Sequence, residues 1–173
     1  FAQRLAALGD VYINDAFGTA HRAHSSTAVI AQYFPKKCAA GLLMMKEVDA
    51  LGSALLNPKR PFVALVGGAK ISTKIGVLTA LLQKADTLII GGAMSFTFMK
   101  AMGLSTGKSP VEENMLDKAK ETMQQAKAQG KQLVLPVDLV VASAFENTAP
   151  SKTIALQDGI PQGFEGMDIG PQT

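Results

Sequence analysis

Arg60-Pro61-Phe62-Val63-Ala64-Leu65-Val66-Gly67-Gly68-Ala69-Lys70-Ile71-Ser72-Thr73-Lys74 is the stretch that sets the architecture. Phe62 to Val66 is a continuous apolar run, the pattern of a strand buried on both faces of a parallel sheet. A glycine pair ends it, and a helix is expected over about 72–83. Thr87-Leu88-Ile89-Ile90 repeats the arrangement and ends in a second pair, Gly91-Gly92. A short helix is expected over 94–102, then a longer one over 111–129, stopped by Gly130. Leu133-Val134-Leu135 reads as a third strand, Val137 to Val141 as an extension of the apolar layer, and Thr153 to Leu156 as a strand ahead of a glycine-rich loop. This is an α/β order. Right-handed crossovers then predict a parallel sheet with helices on both faces.

Upstream, Phe1, Leu5 and Leu8 recur at helical spacing until Gly9, and Val11 to Asn14 reads as a short buried strand. A polar loop follows. From Gly41 to Leu56 the pattern is an amphipathic helix, with Leu42, Met45, Val48, Leu51 and Leu55 on one side and Lys46, Glu47 and Asp49 on the other. Asn57-Pro58 ends it, because a residue before proline is pushed out of the helical region. Three parts are therefore expected: 1–40 closing one α/β domain, 41–58 a connecting helix, and 59–173 opening a second domain. Both ends read as cuts made in a longer protein.

Bulk properties narrow the function. Of the 173 residues, 47% are apolar and 18% charged, which suits a globular chain with a sizeable core. The net charge of +3 is mild, and no run of five or six Lys or Arg occurs. A small polyanion fits that balance at least as well as nucleic acid. Cys38 is the single cysteine, so no internal disulfide or cysteine-based zinc cluster can form, and a reducing compartment such as the cytoplasm is expected. No apolar stretch reaches the roughly 18–20 residues of a membrane span. No signal peptide is visible.

The strongest chemical signal is Gly67 to Lys74. Glycines let the backbone approach a ligand, and a helix start offers unpaired N–H groups to an anion. Lys70 and Lys74 are four apart, so on one helix face they would repel by a few tenths of a kcal/mol, a cost that a bridging polyphosphate reverses. A solvated pair of surface lysines has the same spacing, and spacing alone leaves both readings open. The Walker A pattern is absent. A dinucleotide site is disfavoured, since G-x-G-x-x-G is missing and the second strand ends in Gly91-Gly92 rather than a ribose-binding acid.

Asp15 to Ser26 is the second cluster, with Arg22, His21, His24 and several hydroxyls. Arg22 can fork onto a carboxylate or phosphate. The histidines lack a third strong ligand, so positioning outweighs metal binding, and Asp15 reads equally as a helix cap or a turn former. Met44, Met45, Met94, Met99 and Met102 read as core filler. Glu112 and Glu113 read as the acidic start of a helix. Cys38 has no base at readable spacing.

Leu8 to Ser26, reading LGDVYINDAFGTAHRAHSS, resembles the signature of the N-terminal domain of the phosphoglycerate kinase family. Arg60-Pro61-Phe62 leading to Gly67-Gly68-Ala69-Lys70 is similar to the start of that family's C-terminal domain. Ile89 to Phe98, Leu135 to Asp138 and Gly166 to Pro171 also match, and the resemblance spans the chain. It implies a Rossmann-like nucleotide domain and a phosphotransferase with a carboxyl group as acceptor. The reaction would be reversible transfer from 1,3-bisphosphoglycerate to ADP, giving 3-phosphoglycerate and ATP in glycolysis. By this resemblance Arg22, with His21 and His24, holds 3-phosphoglycerate. Gly68, Ala69, Lys70 and Lys74 meet the nucleotide or the moving phosphoryl group, and Lys74, assisted by Lys70, stabilises transferred charge. Gly92, Phe145, Gly166 and Met167 line the adenine and ribose pocket. Mg2+ comes with the nucleotide, but the family's late glycine-rich segment, whose aspartate positions it, is absent from these residues. So are the other N-terminal arginines. The fragment alone is expected to be inactive, its parent a hinge-bending monomer without nucleic-acid or membrane partners. Ala93 stands where many members carry Gly, and Phe164 where Trp is frequent.

Overall fold

A computed structural model describes residues 1–173. The chain divides into two compact units, Phe1–Lys59 and Arg60–Thr173.

In the first unit a short helix, α1 (Ala2–Ala6), precedes β1 (Tyr12–Asn14), which pairs in parallel with β2 (Cys38–Ala40). Ala2, Ile30 and Phe34 form a small core, and the Tyr12 ring stacks on Phe34 with centroids 6.0 Å apart. The strand expected to be buried is only half covered. Ile13 points to solvent, because two strands with one small cluster shield a single face.

Helix α2 (Leu42–Leu56) runs where its periodicity predicts. Its apolar stripe is open within this unit, and Leu42, Met45, Val48 and Leu51 are all at least half exposed. The helix takes its N-terminal cap from a distant residue. Gly41 occupies the cap position, and the Asp15 carboxylate accepts a hydrogen bond from the Met44 amide at 2.8 Å. A Cβ on Gly41 would run into Asp15. Of the two readings of Asp15, the cap is the one realised. Asp15→Ala should cost the folded protein about 1 kcal/mol in urea unfolding, whereas Asp15→Asn, which keeps an acceptor, should lose only a few tenths. Equal losses in the two variants would refute the cap.

The second unit opens with β3 (Val63–Val66), α3 (Ile75–Lys84), β4 (Thr87–Ile90), α4 (Met94–Ala101), α5 (Leu116–Ala128) and β5 (Gln132–Val134). The three strands form a parallel sheet in the order β3-β4-β5, as the α/β reading expects. Leu78 and Leu82 of α3, Met94 and Phe98 of α4, and Ala119 and Ala126 of α5 share one core with Ala64, Val66, Leu88 and Ile90. Successive right-handed crossovers stepping the same way along a sheet place their helices on the same side. The other side shows the consequence. Val63 is 50% and Leu65 72% exposed, so β3 is not buried on both faces by these residues.

A second sheet, unseen in the sequence, is antiparallel. β6 (Asp138–Ala142) lies between β7 (Ser151–Ala155) and β8 (Glu165–Ile169), with Leu139 opposite both Ile154 and Ile169. Val137 to Val141 thus builds this sheet rather than extending the first. Phe96, Met99, Leu139, Val141 and Ile160 form its core. Buried Asp138 accepts bonds from the amides of Gln172 and Thr173 and from the Thr173 hydroxyl, at 3.0, 2.8 and 2.6 Å. Burial pushes its carboxyl upward, but those donors outweigh it and the net shift is downward.

Candidate nucleotide and phosphate site

The site follows from strand register. Val66 lies opposite Ile90 in the parallel pair, so the two glycine pairs leave the sheet side by side. The Gly91 amide donates to the Val66 carbonyl at 2.9 Å, and the Met94 amide to the Gly68 carbonyl at 2.9 Å. Gly92 has φ +65, and a Cβ on it would stand 2.7 Å from the Gly68 nitrogen. Only backbone fits between these turns. Gly68, at φ +150, is also the floor under Lys74, whose Cε passes 3.6 Å from where a Gly68 Cβ would be.

Residues 69–74 form a turn instead of the first turn of a helix. Ile71 is drawn fully into the core, and the Lys74 amide closes the turn on the Ile71 carbonyl at 2.9 Å. Helix α3 begins after Lys74, which sits at its cap. Lys70 and Lys74 therefore do not share a helix face. They rise on either side of a buried anchor, Lys70 exposed and Lys74 half-buried.

Glu112 does not begin a helix. The chain there makes a 3-10 turn over Glu113–Met115 before α5 starts at Leu116. The Glu112 carboxylate accepts from the Ser72 amide at 3.1 Å and the Ser72 hydroxyl at 2.5 Å. Its own amide donates to Thr97 Oγ1, on α4, at 3.2 Å. The Ser72 hydroxyl is the main cause that lowers the Glu112 carboxyl below its usual range; partial burial opposes it, and the Ser72 amide and Lys70 reinforce it.

Beside the glycine turns lies a cavity of about 240 Å³. Gly92, Phe145, Gly166 and Met167, widely separated in sequence, all line it. Phe145, on the β6–β7 connection, is 87% exposed at its edge. A Cβ on Gly166 would strike the Phe96 ring, so the floor needs glycine there. Phe96, Pro136 and Leu139 add to the apolar lining; in the sequence each looks like ordinary core and suggests no site role. An apolar slot next to cationic, amide-rich turns suits a ligand with a flat ring at one end and negative charge at the other.

In the first unit His21, Arg22 and His24 are all exposed. Arg22 Nε donates to His21 Nε2 at 3.2 Å. Thr27 holds the loop, its hydroxyl donating to the Arg22 carbonyl at 3.0 Å, and Tyr12 OH donates to the Ser26 carbonyl at 2.8 Å. No three His, Cys, Asp or Glu side chains converge anywhere in the chain in a way that could hold a metal ion.

The phosphoglycerate kinase family model matches residues 1–173. "Phosphoglycerate kinase 3, cytosolic" from Arabidopsis thaliana is 56% identical over 173 residues, all of this chain and 43% of that protein. Phosphoglycerate kinase from Thermosipho africanus is 53% identical over 172 residues, 99% of this chain and 42% of that protein. The chain thus spans about two-fifths of the length of these relatives. Among solved structures, phosphoglycerate kinase from Coxiella burnetii superposes with a TM-score of 0.81 at 44% identity, over 99% of this chain and 43% of that one. With every residue matched by the family model and the fold shared with a solved member, the chain belongs to the phosphoglycerate kinase family.

Proposed function

We propose that the chain is the central part of a phosphoglycerate kinase that transfers a phosphoryl group reversibly from 1,3-bisphosphoglycerate to ADP in glycolysis. The observation that carries this is the packing of Gly92 on Gly68, which joins the slot to the lysine turn. The adenine and ribose of ADP enter the slot against Gly92, Phe145, Gly166 and Met167. The diphosphate extends over Gly68 and Ala69 towards Lys70 and Lys74. Arg22, with His21 and His24, holds the phosphoglycerate.

An oxygen of the ADP β-phosphate attacks the acyl phosphate, the bond from phosphorus to the acyl oxygen breaks, and 3-phosphoglycerate leaves as a carboxylate. Lys74 neutralises charge on the phosphoryl oxygens in flight, assisted by Lys70. Chemistry of this kind needs position and compensating charge rather than a nucleophile from the protein. Magnesium accompanies the nucleotide, and no group of three acidic, histidine or cysteine side chains comes together in this chain to hold it. The 173 residues alone are inactive in this proposal. The parent is a cytoplasmic monomer that closes about a hinge, without nucleic-acid or membrane partners. No helix here is long and apolar enough to cross a membrane.

Calorimetric titration of the full-length protein with ADP tests the nucleotide site. Saturable binding is expected, weakened at least about tenfold in Lys70→Ala/Lys74→Ala, as loss of charge-assisted contacts requires. An unchanged affinity in that variant would remove the nucleotide from the lysine turn. A bare nucleotide-binding module would bind ADP yet show no phosphoglycerate-dependent turnover.

A further inference from the structure

Glu112 sits beside the lysine turn and is bonded to the residue between its two lysines. Its contacts are specific. One carboxylate takes both donors of Ser72, the residue midway between Lys70 and Lys74. Its backbone amide is fixed by the buried hydroxyl of Thr97 on α4, the helix that starts two residues after Gly92. Glu112 thereby ties the turn after the first glycine pair to the helix after the second. With both Ser72 donors satisfied from within the protein, the turn between the two lysines is held in one conformation.

We infer that Glu112 is a positioning residue for phosphoryl transfer: by holding Ser72 it fixes the lysine turn in the geometry that meets the transition state. This rests on the proposed kinase reading. Losing Glu112 leaves the slot, the glycine turns and both lysine charges in place for the ground-state nucleotide, and alters only how the lysine turn is held. Its effect therefore falls on kcat rather than on the KM for ADP.

The test uses full-length protein and four variants: Glu112→Ala, Glu112→Gln, Lys74→Ala and the double Glu112→Ala/Lys74→Ala. Glu112→Ala should lower kcat by about tenfold to a hundredfold, with the KM for ADP within about twofold of the parent, because small misplacements of a charge-stabilising group weaken only transition-state contacts. Glu112→Gln keeps an oxygen acceptor for Ser72 and should recover most of the loss. In the double variant, removing Glu112 should cost no more than about twofold beyond Lys74→Ala, since residues acting through one another are not additive.

A multiplicative double variant, or a Glu112→Ala rate equal to the parent's, overturns the inference while the kinase reading stands. A Lys74→Ala variant with undiminished kcat overturns the catalytic lysine, and the inference with it. Thermal unfolding of each variant, expected within a few degrees of the parent, separates positioning from collapse.

Discussion

Lys74→Ala in the full-length protein should lower kcat by about a hundredfold to a thousandfold, the cost of removing one preorganised charge from a developing anion. The magnitude follows from placement. Lys74 is half-buried, its stem lies along Gly68, and its backbone is held twice, by the Ile71 carbonyl and by the start of α3. A group so fixed loses little entropy when it meets the phosphoryl oxygens. Lys70, exposed on the far side of Ile71, is less restrained, and its removal alone should cost about a tenth as much. Steady-state rates with ADP and 1,3-bisphosphoglycerate measure both. A larger loss at Lys70 than at Lys74 would reverse the assignment of roles.

Gly92→Val should reduce ADP affinity at least about a hundredfold and lower the melting temperature by several degrees. Two costs add. A β-branched residue at φ +65 is strained by about 1–2 kcal/mol or more. Its Cβ also has no space, standing 2.7 Å from the nitrogen and 2.9 Å from the oxygen of Gly68. Backbone cannot yield as a flexible side chain does, so the two turns must part and the bond from the Met94 amide to the Gly68 carbonyl stretches. By contrast, Gly76→Ala in α3, where a Cβ meets nothing within 4 Å, should leave ADP binding unchanged. Titration of both variants decides. A Gly92→Val protein that binds ADP like the parent would sever the glycine contact from the ligand.

The sequence carried the parallel part of the fold well, for a physical reason. Thr87 to Ile90 is β4 to the residue, because an interior strand of a parallel sheet shows itself as an unbroken apolar run. β8, reading EGMDI, has no such run, since it packs at the edge of an antiparallel sheet, where alternation is weak and a bulge between Val140 and Val141 shifts its partner's register. The glycine pairs stood out singly. Their contact with each other depends on register, which links residues 24 apart and leaves no local trace. The lysines misled in one respect. Helical spacing suggested a shared face, but burial of Ile71 turns the backbone before the helix begins. Glu112 looked like a helix start because an acid after Pro110 usually is one. Its partner Ser72 lies 40 positions away.

The one-sided placement of α3, α4 and α5 bears on the order in which such a protein is assembled. β3 ends the sheet order with a free edge, and Val63 and Leu65 face outward beside it. Crossovers that step from β3 towards β5 cannot cover that side, so an element packing there would have to join by another route. An element drawn from beyond β8 would pair with β3 across a long sequence separation, the kind of non-local contact that slows folding. A nascent chain would thus carry a finished glycine-lysine turn on a half-sealed sheet for some time. In that interval the exposed edge is the place where a holding chaperone, or an unwanted second strand, gains access.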